Sequence, residues 1–77
     1  MFTYLHPTPE YTYSFEASTS LIEARRLAQT EARKEFEVRM VVQDGSSYVV
    51  VPADHCSTFF AGLPIVAEYN ADGFEVK

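Results

Sequence analysis

Acid, base and thiol stand side by side in this chain at Asp54, His55 and Cys56. These are the residue types of a nucleophilic site, in which a base takes the proton of the nucleophile and a third group orients the base. Residues adjacent in sequence do not meet in that way. Neighbours point to opposite faces of a strand, and on a helix they lie about 100° apart. We therefore predict no catalytic residues here.

The same residues are better interpreted as the start of a short helix within "ADHCSTFFAGLP". Asp54 is expected to be its N-cap and His55 to be solvated. Cys56 is expected to pack as a small apolar side chain beside Phe59 and Phe60. Because a helix N-terminus can lower the pKa of a thiol, a small enzyme or redox protein that uses Cys56 stays open as a third functional hypothesis.

Neither a metal nor a cofactor is predicted. Besides His55 and Cys56, the chain has one further imidazole, His6, which lies beside a proline near the start. These residues lack the short, regular spacing of metal-ligand motifs. No glycine-rich loop precedes a helix, so the sequence gives no support for nucleotide binding.

The clearest element is an amphipathic helix over residues 20–36. Ser20 followed by Glu23 has the spacing of a capping box, with Ser18 and Thr19 as competing caps. Small residues on the apolar stripe would let the helix approach a sheet closely. The stripe comprises Leu21, Ala24, Leu27, Ala28, Ala32 and Phe36.

Strand signals surround this helix. "EYTYSFEA" alternates apolar and polar residues, and "EVRMVVQDGSSYVVVP" predicts a hairpin around Asp44 and Gly45. "IVAEYNADGFEV" predicts a second hairpin that turns at residues 70–73, while residues 1–9 form an edge strand or an arm. We predict one domain, residues 1–77, of α+β class: a mostly antiparallel sheet of four to five strands with one main helix on one face.

The packing of this helix against the sheet predicts which residues form the core. Leu27 and Phe36 are expected to be buried against Phe15, Met40 or the strand over residues 49–51. Replacing such a residue in so small a domain would remove much of its stability.

The valine-rich strands predict self-association as a homodimer. A single helix covers one face of the sheet, so Val41 and either Val49 or Val51 would face water in a monomer. Symmetric pairing is the commonest way to cover such a patch. The alternative is that residues 1–9 fold over the second face and leave a monomer.

Composition limits the partners. The chain has 6 Lys+Arg against 11 Asp+Glu and a net charge of −5, so direct binding to nucleic acid or to an anionic membrane is not expected. We also predict no signal peptide and no membrane span. The single cysteine fits a reducing, cytoplasmic location.

Tyrosine and acidic residues are the features that folding explains least. Aromatic side chains beside acidic ones suit protein contacts, and an acidic face complements a basic, nucleic-acid-binding surface of a partner. Glu16, Glu68 and Glu75 are expected to share the outward sheet face, although the acids could equally be solvated residues that protect strand edges. The predicted partner-binding residues are Tyr11, Tyr13, Glu16, Glu37, Tyr48, Glu68, Tyr69 and Glu75.

The strand "YTYSFEA", the helix opening from Ser20 to Ala24 and the valine-rich hairpin resemble, in architecture, small phage-encoded proteins of the anti-CRISPR type. The resemblance covers roughly residues 10–51 and implies inhibition by occupying a surface of a host defence complex, in the host cytoplasm. The leading hypothesis is thus a non-enzymatic interaction protein. The runner-up is a self-associating structural or assembly accessory.

Overall fold

Five strands form one antiparallel sheet with a helix on each face. The structure, a computed structural model, describes residues 1–76. The sheet order is β1-β2-β4-β3-β5, and every neighbouring pair is antiparallel. The predicted α+β class is therefore confirmed, and residues 1–9 contain an edge strand. The elements are β1 (Phe2–Pro7), β2 (Thr12–Ser18), α1 (Leu21–Glu35), β3 (Arg39–Asp44), β4 (Ser47–Pro52), α2 (Ala53–Phe59) and β5 (Ile65–Tyr69).

Helix α1 begins at the predicted cap. The Ser20 hydroxyl accepts a hydrogen bond from the Glu23 N–H at 3.3 Å. The Ser18 hydroxyl, which competes for the cap in the sequence, instead accepts from the Ser20 N–H at 3.0 Å and so fixes the residue that precedes the helix.

Replacing Ser20 with alanine is expected to lower the free energy of unfolding by about 1 kcal/mol, because one N–H of the first turn loses its acceptor. Urea denaturation measures this loss. The exposed Thr19 is the matched control, and its replacement with alanine should change the midpoint little. A larger loss at Thr19 than at Ser20 would contradict the assigned cap.

An alanine stripe seats α1 on the sheet. Ala24, Ala28 and Ala32 are fully buried, and they pack in one cluster with Val41 and Val50 of the central strands. Small side chains allow the helix axis to lie close to the strands, as the sequence predicted.

Phe36 is not buried, which corrects the sequence prediction. The helix ends one residue earlier, and Phe36 takes a left-handed backbone with φ 53° while its N–H donates to the Ala32 carbonyl. This conformation turns the side chain away from the stripe and leaves it 77% exposed. Leu27, by contrast, is half-buried and packs with the cluster that contains Val50.

Because a left-handed conformation costs a residue with a Cβ about 1–2 kcal/mol, replacing Phe36 with glycine is expected to raise stability by about 1 kcal/mol. A thermal or urea transition of the variant measures the gain. A loss of stability would mean that the exposed ring has a packing role after all.

The second face of the sheet has its own core. Val42, Val49 and Val51 have no exposed surface, and Cys56 and Phe60 from α2 and its C-terminal end cover them. The premise of the homodimer prediction, that valines face water on this side, is therefore wrong. Self-association itself stays a prediction.

Phe15 and Met40 also belong to this second core, so of the three alternative partners predicted for Leu27 only the strand over residues 49–51, through Val50, lies in the α1 cluster. In the register of the sheet, Met40 lies opposite Val51 and therefore on the face away from α1. The two helices thus sort the apolar residues of the sheet into two separate clusters.

Candidate functional site

A cleft opens where β2 and β4 separate. Their pairing runs only from Glu16 opposite Val50 to Ser18 opposite Tyr48. Beyond Glu16 the strands diverge, and Pro52 ends β4 as α2 begins. The resulting cavity has a volume of about 420 Å³, within the range of ligand sites. Its lining residues are Thr3, Tyr11, Tyr13, Ser14, Phe15, Glu16, Glu31, Arg39, Val50, Pro52 and His55.

One wall of the cleft is aromatic. The rings of Tyr11 and Tyr13 meet edge to face with centroids 4.9 Å apart. The centroid of the Tyr13 ring lies 5.4 Å from that of the His55 imidazole. The ring centroid of Phe15 lies 5.9 Å from that of the same imidazole. His55 is thus half-buried among rings, and the expectation that it is solvated is wrong. Its Nδ1 atom is buried and finds no hydrogen-bond partner among residues 1–76.

The other wall is acidic around one guanidinium group. Glu16 of β2 and Glu31 of α1 line the cleft together with Arg39, the first residue of β3. The Arg39 side chain is only 12% exposed, and its Nη1 donates to the Glu37 carboxylate at 2.9 Å. With Arg39 bonded to Glu37, the carboxylates of Glu16 and Glu31 give this wall a surplus of negative charge.

This combination suits a positively charged group with an apolar stem. Carboxylates attract a lysine or arginine head group, and tyrosine rings accept cations over their faces. The apolar part of such a side chain can pack on the rings. The cleft therefore favours a basic segment over an anionic ligand.

Four of the predicted partner-binding residues meet at this cleft. Tyr11, Tyr13 and Glu16 line it, and Glu37 reaches it through the bond to Arg39. The structure thus brings together residues that lie just before β2, on β2 and after α1, which no local sequence pattern connects.

The other predicted residues lie elsewhere. Tyr48 is half-buried against the α1 core, and Tyr69 is only 4% exposed. The Tyr69 hydroxyl accepts a hydrogen bond from Arg25 Nε at 3.2 Å and donates to Glu75 at 2.9 Å. Bonds from Arg25 and Tyr69 hold the pKa of Glu75 below its ordinary value, so this group ties the end of the chain to α1.

The three glutamates predicted on one outward face do not share it. Glu16 lies opposite Val50, on the α1 side of the sheet, whereas Glu68 lies opposite Met40, on the other side. Glu75 lies beyond β5, where its carboxylate is paired with Arg25. A single acidic sheet face is therefore absent from the described residues 1–76.

Sequence reasoning missed several residues of the cleft. Glu31 and Arg39 come from a helix and a strand that meet only in the folded chain, and Ser14 looks like an ordinary outward strand position. Two signals were present: Pro52 at the end of a valine run, and His55 three residues after that proline. Proline ends strand pairing because it has no N–H, but what it faces depends on the strand register.

The adjacent Asp54, His55 and Cys56 differ in burial, since they are exposed, half-buried and buried respectively. The N-cap of α2 is Pro52, without a side-chain bond, so the expectation that Asp54 caps the helix is wrong. Cys56 packs in the second core as predicted and is 6% exposed. Burial raises the pKa of its thiol, and the Glu68 carboxylate adds to this effect. Both effects oppose thiolate chemistry at Cys56.

Alkylation of Cys56 by iodoacetamide is expected to be about tenfold or more slower in the folded chain than in concentrated urea, because the reagent needs an accessible thiolate. Mass spectrometry of timed samples measures the rate. Equal rates in the two conditions would contradict the burial and revive the cysteine-enzyme hypothesis.

Comparison with protein-family models, with curated proteins and with solved structures found no match for this chain. Within residues 1–76, no helix is long and apolar enough to cross a membrane, and no three His, Cys, Asp or Glu side chains are grouped to hold a metal ion. The geometry and charge of the cleft are therefore the features from which a function can be inferred.

Proposed function

We propose that this chain is a non-enzymatic protein-binding protein, and that the cleft between β2 and β4 holds a basic segment of its partner. The observation that carries the proposal is the pairing of an aromatic wall with an acidic wall in one cavity of about 420 Å³. Aromatic anchors in a pocket supply binding energy, and complementary charge supplies specificity and association rate.

Charge supports a basic partner. The whole chain carries a net charge of −5, so its long-range field attracts positive surfaces, and the acidic wall places Glu16 and Glu31 at the point of contact. Proteins that bind nucleic acid present such positive surfaces. Blocking one of them would inhibit nucleic-acid binding without any chemistry.

Inhibition of a host defence complex is the more specific form of this proposal. The resemblance of the architecture to anti-CRISPR proteins supports it, together with the size and charge of the domain. The cysteine-dependent alternative has lost its support, because burial and a raised pKa make the Cys56 thiol a poor nucleophile.

The test is charge reversal in the cleft. The tagged full chain is used to capture its partner from an extract of the cells that produce it, and mass spectrometry identifies the protein. Replacing Glu31 with lysine is expected to abolish capture. Binding of the purified partner to the unchanged chain should also slow as ionic strength rises.

Glu35 provides the matched control. It is exposed at the end of α1, outside the cleft, so Glu35→Lys changes the net charge by the same amount as Glu31→Lys. We expect the control to retain the partner. Equal retention by both variants, with unchanged urea midpoints, would overturn the cleft as the binding site.

Self-association through β1 is a second candidate function, and a different observation favours it. Among residues 1–76, β1 is paired on one side only, it carries no charged residue, and Leu5 is 61% exposed on it. An uncharged open edge can pair with a second copy without setting like charges opposite each other. We infer that two β1 strands join the sheets of two copies, as an assembly accessory would require.

Sedimentation equilibrium at micromolar concentration tests this dimer. Leu5→Lys should return a dimer to monomers, because lysine protects edge strands from pairing. The control is Ile22→Lys, which adds the same charge at an equally exposed apolar position on α1 and should leave the mass unchanged. A monomer mass for the unchanged chain would exclude this function.

A further inference from the structure

Pro52 ends the hydrogen-bonded pairing of β2 with β4, which would otherwise occupy the cleft. In the register of β2 with β4, Glu16 lies opposite Val50, and continuing that register would set Ser14 opposite Pro52. Proline has no N–H to donate, and the chain turns into α2 at the next residue. The stretch of β2 before Glu16 therefore has β1 as its partner on one side and the cleft on the other.

The hydrogen-bond pattern of the first hairpin shows which backbone groups face the cleft. The Thr8 N–H donates to the Tyr11 carbonyl at 2.8 Å, and bonded positions alternate along an antiparallel ladder. Tyr13, opposite His6, therefore directs its backbone groups to β1. By the same alternation, Thr12 and Ser14 direct their N–H and C=O groups away from β1, to the side where the cleft lies.

We propose that the cleft binds an extended segment of the partner as an added strand on β2, paired with the backbone of Thr12 and Ser14. This inference rests on the proposed function, because it assumes that the cleft receives a protein. Strand addition satisfies backbone donors and acceptors that the fold leaves open, and pockets for alternate side chains then give specificity.

The two walls define the side chains of that segment. Successive residues of a strand point to opposite faces, so alternate side chains meet Tyr13 and His55 on one side and Glu16 and Glu31 on the other. The segment therefore alternates apolar residues with lysine or arginine. A polar group of the segment that reaches the unpartnered His55 Nδ1 atom would remove the cost of leaving that atom buried and unbonded.

Amide hydrogen exchange of the full chain with a capped peptide of alternating Val and Arg tests the added strand. In the free chain, the amides of Thr12 and Ser14 should exchange fast, and those of Tyr13 and Phe15 slowly. The peptide should slow Thr12 and Ser14 by at least about tenfold. Protection of Thr3 and Leu5 instead would place the peptide on the outer edge of β1 and overturn the inference.

Backbone methylation of the peptide separates strand pairing from simple charge attraction. Only alternate amides of an added strand face β2, so N-methylation of one alternate set should abolish binding while the other set retains it. Equal binding of both methylated peptides, or no binding of the parent peptide, would overturn strand addition. The proposed function is tested separately, and it is contradicted if the Glu31→Lys variant still captures the protein partner.

Discussion

Replacing Phe60 with alanine is expected to lower the free energy of unfolding by about 3–5 kcal/mol, as for other buried phenylalanines. Phe60 is 3% exposed, and the centroid of its ring lies 5.3 Å from the ring centroid of Phe15 and 5.6 Å from that of Tyr4. A domain of 77 residues has about 4–12 kcal/mol of stability in total. The variant should therefore be marginally folded at room temperature, which urea denaturation followed by circular dichroism measures.

The matched control is Phe36, which is the same residue type in an exposed position. Phe36→Ala should change stability by no more than about 0.5 kcal/mol, because little apolar surface leaves the core. Similar losses for the two variants would mean that the second face of the sheet is not covered by the end of α2. The exposed valines would then again favour a dimer that buries them.

Enlarging Ala28 to leucine is expected to cost about 1–3 kcal/mol or more, because a fully buried position has no room for added methylene groups. Ala28 lies in the middle of the alanine stripe, in the cluster with Val41 and Val50. The larger side chain must push α1 away from the sheet or leave its preferred rotamer. A fall in the urea midpoint together with altered methyl NMR signals of these valines would show the displacement.

Thr30 on the same helix is the control for this change. It is exposed, and Thr30→Leu should keep or slightly raise stability, because leucine is the better helix former. Equal stability of the two leucine variants would show that α1 does not lie as close to the sheet as the buried alanines indicate.

Local signals predicted α1 and the first hairpin well, whereas the second strand of the hairpin predicted within "IVAEYNADGFEV" is reduced to a single bridge between Tyr69 and Glu75. The Ser20 cap, the alanine spacing of α1 and the turn after Asp44 depend on residues within a few positions of one another, and all three are present. Phe36 shows the limit of periodicity. Its position on the stripe predicts burial, but a left-handed backbone at the helix end overrides the helical spacing and turns the ring outward.

The face that each strand presents could not be deduced from alternation. Alternation places Tyr13 and Phe15 on one side of β2, but it does not say whether α1 or α2 covers that side. In the fold α2 covers it, so Cys56 packs in the second core. A short helix of seven residues has a weak signal in sequence, yet it decides whether the valines of β4 face water.

The sequence by itself determined the class of the fold, the start of α1 and the hairpin turn after Asp44. These features follow from capping, spacing and apolar character, which act locally. Only the tertiary structure determined that a cleft forms and which residues line it. Its walls come from β1, β2, α1, β3, β4 and α2. It opens because the register of β2 with β4, if continued, would set Ser14 against Pro52, a proline without an N–H to continue the ladder.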